Sequence, residues 1–224
     1  MRLLEGLAEL LFPTRCSGCE LPGAVFCDDC RDNLPRIVAA AACPRCGAPY
    51  GYLVCTECWE REWAFESALA LGEFEAPLAR AVVLHKDAGE RRLGDTLGTL
   101  LGEHVAREWP GWPQGVAYVP ATKAAYRRRG FDHGASIATA VARTLDVPLV
   151  EALRRTAAAD QRLLGRTARA ANARGTFTAD GAVPERVLLC DDVLTTGATL
   201  DAASEALLEA GVESVRCAVL ARVW

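Results

Sequence analysis

The sequence has no apolar run that approaches the roughly 20 residues a membrane-spanning helix needs. It also has no excess of positive charge, because 25 basic residues are set against 29 acidic ones, for a formal net charge of −4. This balance argues against a protein whose whole surface coats nucleic acid or an anionic membrane. Lysine is scarce, with Lys86 and Lys123 as its two occurrences, so the basic side chains are almost all arginine.

What the sequence does have is enough apolar material for a core. It is 224 residues long and 51% hydrophobic, which predicts one or two soluble domains. Near the N-terminus, Leu3, Leu7 and Leu10 recur at helical spacing, while Glu5 and Glu9 interrupt the apolar stretch. The pattern predicts a short amphipathic helix rather than a signal peptide, and we expect a cytoplasmic protein with reduced thiols.

Ten cysteines are present, and eight of them form four Cys-x-x-Cys pairs. The pairs are Cys16/Cys19, Cys27/Cys30, Cys43/Cys46 and Cys55/Cys58. Two such turns can complete one tetrahedral zinc site, so the eight thiolates predict two four-cysteine Zn²⁺ sites with a structural role. The spacing fits consecutive pairing, as in two zinc ribbons, and also an interleaved cross-brace, of which we favour the first.

The cysteine distribution also divides the chain into a Cys-rich module at residues 1–66 and an α/β domain at residues 67–224. In the second part, short β-prone runs alternate with helical periods, which is typical of an open, mostly parallel sheet. The expected strands are 69–74, 116–119, 149–153, 186–190 and 215–221. The expected helices are 77–84, 91–108, 134–145, 163–172 and 199–210. We expect Cys190 and Cys217 to be buried strand residues.

The most informative segment begins where the strand 186–190 is expected to end. Two carboxylates come first, then a loop of hydroxyl residues and glycine, then a helix. The nine residues are Asp191, Asp192, Val193, Leu194, Thr195, Thr196, Gly197, Ala198 and Thr199. Ligands collect at the carboxyl ends of parallel strands, and a helix N-terminus with hydroxyl donors suits a phosphate. Carboxylates suit sugar hydroxyls and Mg²⁺. Together they predict a site for a phosphorylated ribose.

This segment resembles the loop of type I phosphoribosyltransferases that binds phosphoribosyl pyrophosphate (PRPP). With four Cys-x-x-Cys pairs ahead of it, the chain resembles the ComF family, which is associated with competence for DNA uptake. Further similarities are the Lys-x-x-Gly element at 86–89, the Arg-Gly-Phe element at 129–131, and a Gln, Leu, Arg, Asn, Phe series between Gln161 and Phe177. Two positions depart from the family: Ala121-Thr122 where a second proline is usual, and Asp132-His133 where Asn-Gln is usual.

The resemblance implies a type I phosphoribosyltransferase fold behind a small zinc-ribbon-like domain. It implies Mg²⁺-dependent transfer of phosphoribose from PRPP to a nitrogen nucleophile of unknown identity, with release of pyrophosphate. In this interpretation Asp191 and Asp192 bind the ribose and Lys123, in the loop after the strand 116–119, acts on the pyrophosphate. Further pyrophosphate or substrate candidates are Thr122, Arg127, Arg128, Arg129 and Arg162. Residues 156–175 correspond to a lid over PRPP.

A second hypothesis belongs to a different class. The protein would be an accessory of DNA uptake that senses PRPP without turnover and binds single-stranded DNA or a competence helicase. The zinc module or the arginine-rich surface would make that contact. The acidic pair fits PRPP binding under both hypotheses, and the sequence leaves the oligomeric state open.

Overall fold

The computed structural model describes residues 13–49, 51–156 and 175–224. The amphipathic helix predicted within residues 1–12, the helix predicted at 163–172 and most of the predicted lid lie outside these ranges. None of the described helices is long and apolar enough to cross a membrane. The cytoplasmic location and the domain boundary after residue 66 stay predictions.

A four-stranded parallel sheet forms the centre of the fold, in the order β1-β6-β5-β2. Its strands are β1 (Ser67–Glu73), β2 (Gly115–Tyr118), β5 (Arg186–Leu194) and β6 (Ser214–Arg222). Two shorter strands, β3 (Leu153–Arg155) and β4 (Phe177–Ala179), pair antiparallel in a separate sheet. The open, mostly parallel sheet predicted from the sequence is confirmed.

Helices cover both faces of the sheet. They are α3 (Leu78–Asp87), α4 (Arg92–Glu108), α5 (Lys123–Arg129), α6 (His133–Leu145) and α7 (Ala198–Glu209), with α1 (Asp28–Asp32) and α2 (Thr56–Trp59) in the Cys-rich region. Along β5, Leu188 and Cys190 face the core of α3, α4 and α6, while Val187 and Leu189 face the core of α7. This alternation follows from the two-residue period of a strand.

The close contact between α4 and α6 depends on a glycine stripe. Gly94, Gly98 and Gly102 lie at four-residue spacing, which places them on one face of α4. A Cβ on Gly98 would lie 2.5 Å from the carbonyl oxygen of Ile137 and 2.6 Å from the Cβ of Ala140. The absence of side chains therefore lets α6 approach α4, and α6 begins with a residue of the site described below.

The Cys-rich region packs directly against the sheet. β1 is an edge strand, and its outer edge is bridged by Arg36 opposite Gly72. The amide of Ile37 donates to the carbonyl of Leu71 at 3.3 Å, and the amide of Ala68 donates to that of Arg45 at 2.9 Å. Covering the edge in this way protects it from pairing with other chains.

Three expectations about elements were wrong. β5 continues through the acidic pair to Leu194, because β6 is long enough to pair with it as far as Arg222. The predicted strand 149–153 contributes an isolated bridge from Leu149 to β2, and β3 begins at Leu153 in the other sheet. Residues 123–129, expected as a loop, form α5, because Thr122 Oγ1 accepts the amide of Ala125 at 3.1 Å and caps the helix.

Candidate functional site

A pocket of about 610 Å³ lies at the carboxyl ends of β2 and β5. β2 ends opposite Cys190, so the following residues of β5 have no β2 partner and border the pocket. The residues that line the pocket are Lys86, Val119, Pro120, Ala121, Thr122, Ala124, Ala125, Arg128, Arg129, His133, Arg155, Asp191, Asp192, Val193, Thr195 and Thr199. The topology thus brings the acidic pair and the threonine loop to one cavity, where parallel sheets usually bind ligands.

Asp192 is buried, with 4% of its surface exposed, and a lysine and a histidine contact its carboxylate. Its Oδ2 accepts a hydrogen bond from Lys86 Nζ and lies 3.4 Å from His133 Nε2. Burial alone would raise the pKa of Asp192. The hydrogen bond to His133 and the charge of Lys86 outweigh burial and hold that pKa far below its usual value. Asp192 is therefore an ionised, fully paired carboxylate.

Asp191 has the opposite environment. Burial, and then the charge of the neighbouring Asp192, raise the pKa of Asp191 well above its usual value. Its Oδ1 accepts the amide of Asp192 at 2.9 Å, and the residue lines the pocket. A bound cation or hydroxyl donors from a ligand would stabilise its ionised form, which makes Asp191 the carboxylate available for binding.

His133, at the first position of α6, lies between Arg129 and the acidic pair. Arg129 Nη1 donates to His133 Nδ1 at 3.2 Å. A guanidinium has no acceptor, so Nδ1 must accept, and the ring proton is on Nε2, which faces Asp192. Arg129 is itself held by Asp87 Oδ1 at 3.0 Å. The chain Asp87, Arg129, His133, Asp192 fixes the floor of the pocket.

The loop after β5 turns into α7 through Gly197, which has a φ of +74° and is the N-cap of the helix. Thr195 and Thr199 are exposed and line the pocket. Thr196 is exposed as well but is not among the lining residues. The helix N-terminus and the two hydroxyls form a surface suited to a phosphate group.

The predicted pyrophosphate residues divide into two groups. Thr122, Arg128 and Arg129 line the pocket, whereas Lys123 and Arg127 are exposed on α5 and do not line it. Arg162 lies outside the described residues. The roles of all six stay predictions.

Three ionisable residues of the pocket were missed as site candidates. Lys86 lies in the Lys-x-x-Gly element, which could have pointed to it. His133 is one of the positions that depart from the family pattern, so the resemblance did not point to it. No motif includes Arg155. It is the last residue of β3, and its Nε donates to the carbonyl of Pro120 at 2.7 Å.

The eight clustered cysteines form two groups with consecutive pairing. The first cysteine group is Cys16, Cys19, Cys27 and Cys30, and the second is Cys43, Cys46, Cys55 and Cys58. In each group the four Sγ atoms lie within 4.8 Å of one another. This agrees with the favoured arrangement and not with the cross-brace, and four convergent thiols are the donor set of a structural zinc site.

In each cysteine group, backbone amides lower the pKa of one thiol. Burial raises the pKa of Cys16, but the amides of Cys19, Cys27 and Gly18 outweigh burial and lower that pKa to about 6. Cys43 follows the same pattern, and its pKa is lowered to about 7. Burial and neighbouring thiols raise the pKa of Cys30 and Cys46, an effect that a bound cation would offset. The cysteine groups therefore fit Zn²⁺ in donor type and convergence.

Comparison with known proteins agrees with this geometry. Residues 132–223, which include α6, β5, the threonine loop and α7, match the phosphoribosyl transferase domain family. This part of the chain is therefore similar to phosphoribosyl transferase domains, and the predicted fold class is confirmed.

Relatives match nearly the whole chain. The DNA utilization protein YhgH of Escherichia coli strain K12 is 27% identical over 226 residues, covering 95% of this chain and 99% of the relative. Competence protein F of Haemophilus influenzae is 27% identical over 221 residues, covering 92% and 90%. These similarities agree with the resemblance to the ComF family that the sequence motifs indicated.

Solved structures show a more distant similarity. The Bacillus subtilis glutamine PRPP amidotransferase, solved with ADP and GMP, is 22% identical with a TM-score of 0.41. The match covers 57% of this chain and 26% of that one.

Proposed function

We propose that the pocket binds PRPP together with Mg²⁺ and that the protein transfers phosphoribose to a nitrogen nucleophile. The observation that carries the proposal is the convergence of the acidic pair and the loop 195–199 on one cavity. One end suits ribose hydroxyls and the other suits a 5′-phosphate. The phosphoribosyl transferase domain match at 132–223 supports the same ligand.

Each part of PRPP has chemically matched residues in the pocket. Asp191 would accept hydrogen bonds from the ribose hydroxyls, and the helix N-terminus with Thr195 and Thr199 would hold the 5′-phosphate. Arg128, Arg129 and Arg155 supply positive charge for the remaining anion, the pyrophosphate. Arg128 and Arg129 share one carboxylate, that of Asp87, at 3.9 Å and 3.0 Å, so the charge of the two guanidinium groups exceeds that of their partner.

The donor set also fits Mg²⁺, which prefers carboxylate oxygens together with the phosphates of a substrate. Asp191, whose pKa is raised by burial and by Asp192, is the carboxylate that gains most from a nearby cation. When bound, Mg²⁺ would supply charge that stabilises the leaving pyrophosphate. The protein's own contribution is to place C1 of the ribose between the acidic pair and the arginines.

The proposed transfer makes one bond and breaks one bond at C1 of the ribose. The C1–O bond to pyrophosphate breaks and its electron pair leaves with the pyrophosphate, while the lone pair of the nucleophile forms the C1–N bond. The nitrogen then releases its proton to water. Arg128, Arg129 and Arg155 would stabilise the charge that develops on the leaving group. Asp191 and the loop would hold the ribose in place while this happens.

Isothermal titration with PRPP and MgCl₂ tests the binding step. We expect binding to the wild type and an affinity reduced about 10-fold or more in Asp191→Asn, since charge-assisted hydrogen bonds contribute about 1.5–3 kcal/mol. No heat with the wild type, or equal affinity in the variant, would overturn the PRPP assignment. Pyrophosphate release, assayed with purines, pyrimidines and small amines, then tests transfer.

The relatives' names favour a second candidate function. Proteins named for DNA utilization and competence match over 90% of this chain, which suggests an accessory role in DNA use with PRPP as a sensed ligand. Binding of PRPP without pyrophosphate release for any acceptor would support this role. A salt-dependent shift of single-stranded DNA that is lost in Arg127→Ala plus Arg128→Ala would add a nucleic-acid contact.

A further inference from the structure

The backbone of the threonine loop is held from outside the pocket by two arginines. Arg222 Nη1 donates to the carbonyls of Leu194 at 3.1 Å and Thr195 at 2.7 Å. Arg61 Nη1 donates to the carbonyl of Thr196 at 3.2 Å. Three successive carbonyl groups therefore point toward Arg222 and Arg61.

This arrangement decides where the amides of the loop point. In a planar trans peptide unit, the N–H is directed opposite to the C=O. Fixing the carbonyls of residues 194, 195 and 196 therefore directs the N–H groups of Thr195, Thr196 and Gly197 to the side of the loop opposite Arg61 and Arg222. These amides precede α7 and are the groups that would bind a phosphate.

Both arginines are anchored at the second cysteine group. Arg222, with 3% of its side chain exposed, places Nη2 at 3.9 Å from Cys46 Sγ and 3.7 Å from Glu57 Oε2. Arg61 lies over the ring of Trp63, with its Cζ 3.6 Å from the ring centroid. The indole N–H of Trp63 in turn donates to Cys58 Sγ at 3.2 Å.

Trp63 also touches the loop itself. A Cβ placed on Gly197 would lie 2.5 Å from Cη2 and 2.6 Å from Cζ3 of Trp63, so the indole packs directly on the glycine backbone. The next residue, Ala64, donates its amide to Asp201 Oδ1 at 2.8 Å, in the first turn of α7. One side of the loop is therefore built by residues that follow Cys58.

The first cysteine group has different neighbours. Its Cys30 Sγ lies close to Gly18, which packs on Pro77 just before α3. Arg80 Nη1 donates to the carbonyl of Gly18 at 3.3 Å. No contact seen in residues 13–49, 51–156 and 175–224 joins this group to the threonine loop, so it provides a natural control.

We propose that the second cysteine group positions the PRPP loop through Trp63, Arg61 and Arg222, and that metal occupancy of this group sets the affinity for PRPP. Trp63 is the positioning residue, because it contacts a metal-ligand candidate, the arginine that holds Thr196, and Gly197. The inference rests on the proposed function in taking the loop as a phosphate site. Chelation or oxidation of the second group would weaken PRPP binding without any change in the pocket side chains.

The test compares Trp63→Leu with Trp59→Leu, because both tryptophans flank Cys58 but Trp59 is 76% exposed. Neither change removes a cysteine, so both variants should keep the wild-type metal content. We expect Trp63→Leu to bind PRPP about 10-fold more weakly and Trp59→Leu to bind within 2-fold of the wild type. Equal affinity in the two variants would overturn the proposal.

Hydrogen exchange of the peptide covering 194–200, measured without PRPP, separates this inference from the proposed function. We expect faster exchange in Trp63→Leu than in Trp59→Leu, a result that needs no ligand. Exchange that is equal in both variants overturns the coupling even if PRPP binds. Faster exchange in a protein that never binds PRPP would leave the coupling standing and reject the PRPP assignment.

Two double cysteine variants test whether PRPP affinity depends on the metal of the second cysteine group. Cys43→Ser plus Cys46→Ser should lower PRPP affinity at least 10-fold, whereas Cys16→Ser plus Cys19→Ser, if still folded by circular dichroism, should change it less than 3-fold. Equal losses in both would reject a specific role of the second group. If either cysteine variant does not fold, the PRPP affinities of Trp63→Leu and Trp59→Leu still decide between the two outcomes.

Discussion

Lys86, at the end of α3, donates a hydrogen bond to Asp192 in β5, across 106 positions of the sequence. The pair separates the roles of two adjacent aspartates. In the ligand-free protein Lys86 and His133 contact the carboxylate of Asp192. The pKa of the neighbouring Asp191 is raised. The protein thus carries one aspartate that supports the fold and one that is available to a ligand.

Isosteric substitution of the two aspartates should change stability in opposite directions. Asp191→Asn removes a charge that burial and Asp192 disfavour, so the melting temperature at pH 7 should rise by a few degrees, about 2–4 °C for each kcal/mol. Asp192→Asn removes the partner of Lys86 and His133 and should lower the melting temperature. Calorimetry on the ligand-free proteins measures both, and changes of the same sign would contradict the assignment.

The pH dependence of these effects follows from the directions of the pKa shifts. The pKa of Asp191 in the folded protein is above its ordinary value of 3.8, so folding is favoured at low pH and this advantage is lost as pH rises through the folded pKa. The increase in folding stability caused by Asp191→Asn should therefore be complete at pH values above the folded pKa and should vanish below pH 3.8. For Asp192 the pKa is lowered, so its stabilisation is present above 3.8 and is lost at lower pH.

Adjacent arginines on β3 provide a matched test of the pocket. Arg155 lines the pocket, whereas Arg154, of equal charge, is exposed and does not line it. Arg155→Ala should weaken PRPP binding about 10-fold, because it removes one charge from the pyrophosphate end and releases the carbonyl of Pro120. Arg154→Ala should change it less than 2-fold in the same titration. Similar losses in both would mean that only the overall charge matters.

The glycine stripe of α4 predicts a packing defect. Gly98→Ala would press a methyl group against Ile137 and Ala140, and overpacking of this kind costs about 1–3 kcal/mol. We expect a melting temperature lower by several degrees, whereas Gly51→Ala should leave it nearly unchanged, since no atom lies within 4 Å of a Cβ at Gly51 and its φ is outside the left-handed region. A Gly98→Ala protein as stable as the wild type would contradict the close packing.

Metal analysis of reduced protein tests the two cysteine groups. We expect about two Zn²⁺ per chain, and about one after all four cysteines of the first cysteine group are replaced by serine. The cross-braced pairing would lose both ions in that variant, because each site would lose two ligands. Zinc near zero in the reduced wild type would refute both sites.

Much of the fold followed from local pattern. The apolar runs of β5 and β6 and the periodicity of α4, α6 and α7 were predictable, since they depend on strand and helix repeats. The boundaries at the site were not: whether β5 stops at Cys190 or continues to Leu194 depends on the length of β6, which is a pairing across the sheet. Helix α5 was missed because its arginines and alanines carry no apolar face, so its local signals are confined to its two ends, Thr122 at the N-cap and Gly130 at the C-cap.

The sequence by itself determined the functional groups of the candidate site, because an acidic pair, a hydroxyl-rich loop and eight cysteines in four pairs are visible as residue types and spacings. Only the tertiary structure decided which groups contact one another. Strand alternation places Asp192 on the side of α3 and α6, where Lys86 and His133 contact its carboxylate, and leaves Asp191 without those two partners. Likewise, the contact of Trp63 with Gly197 arises because residues distant in the chain pack together, a relation that no local pattern encodes.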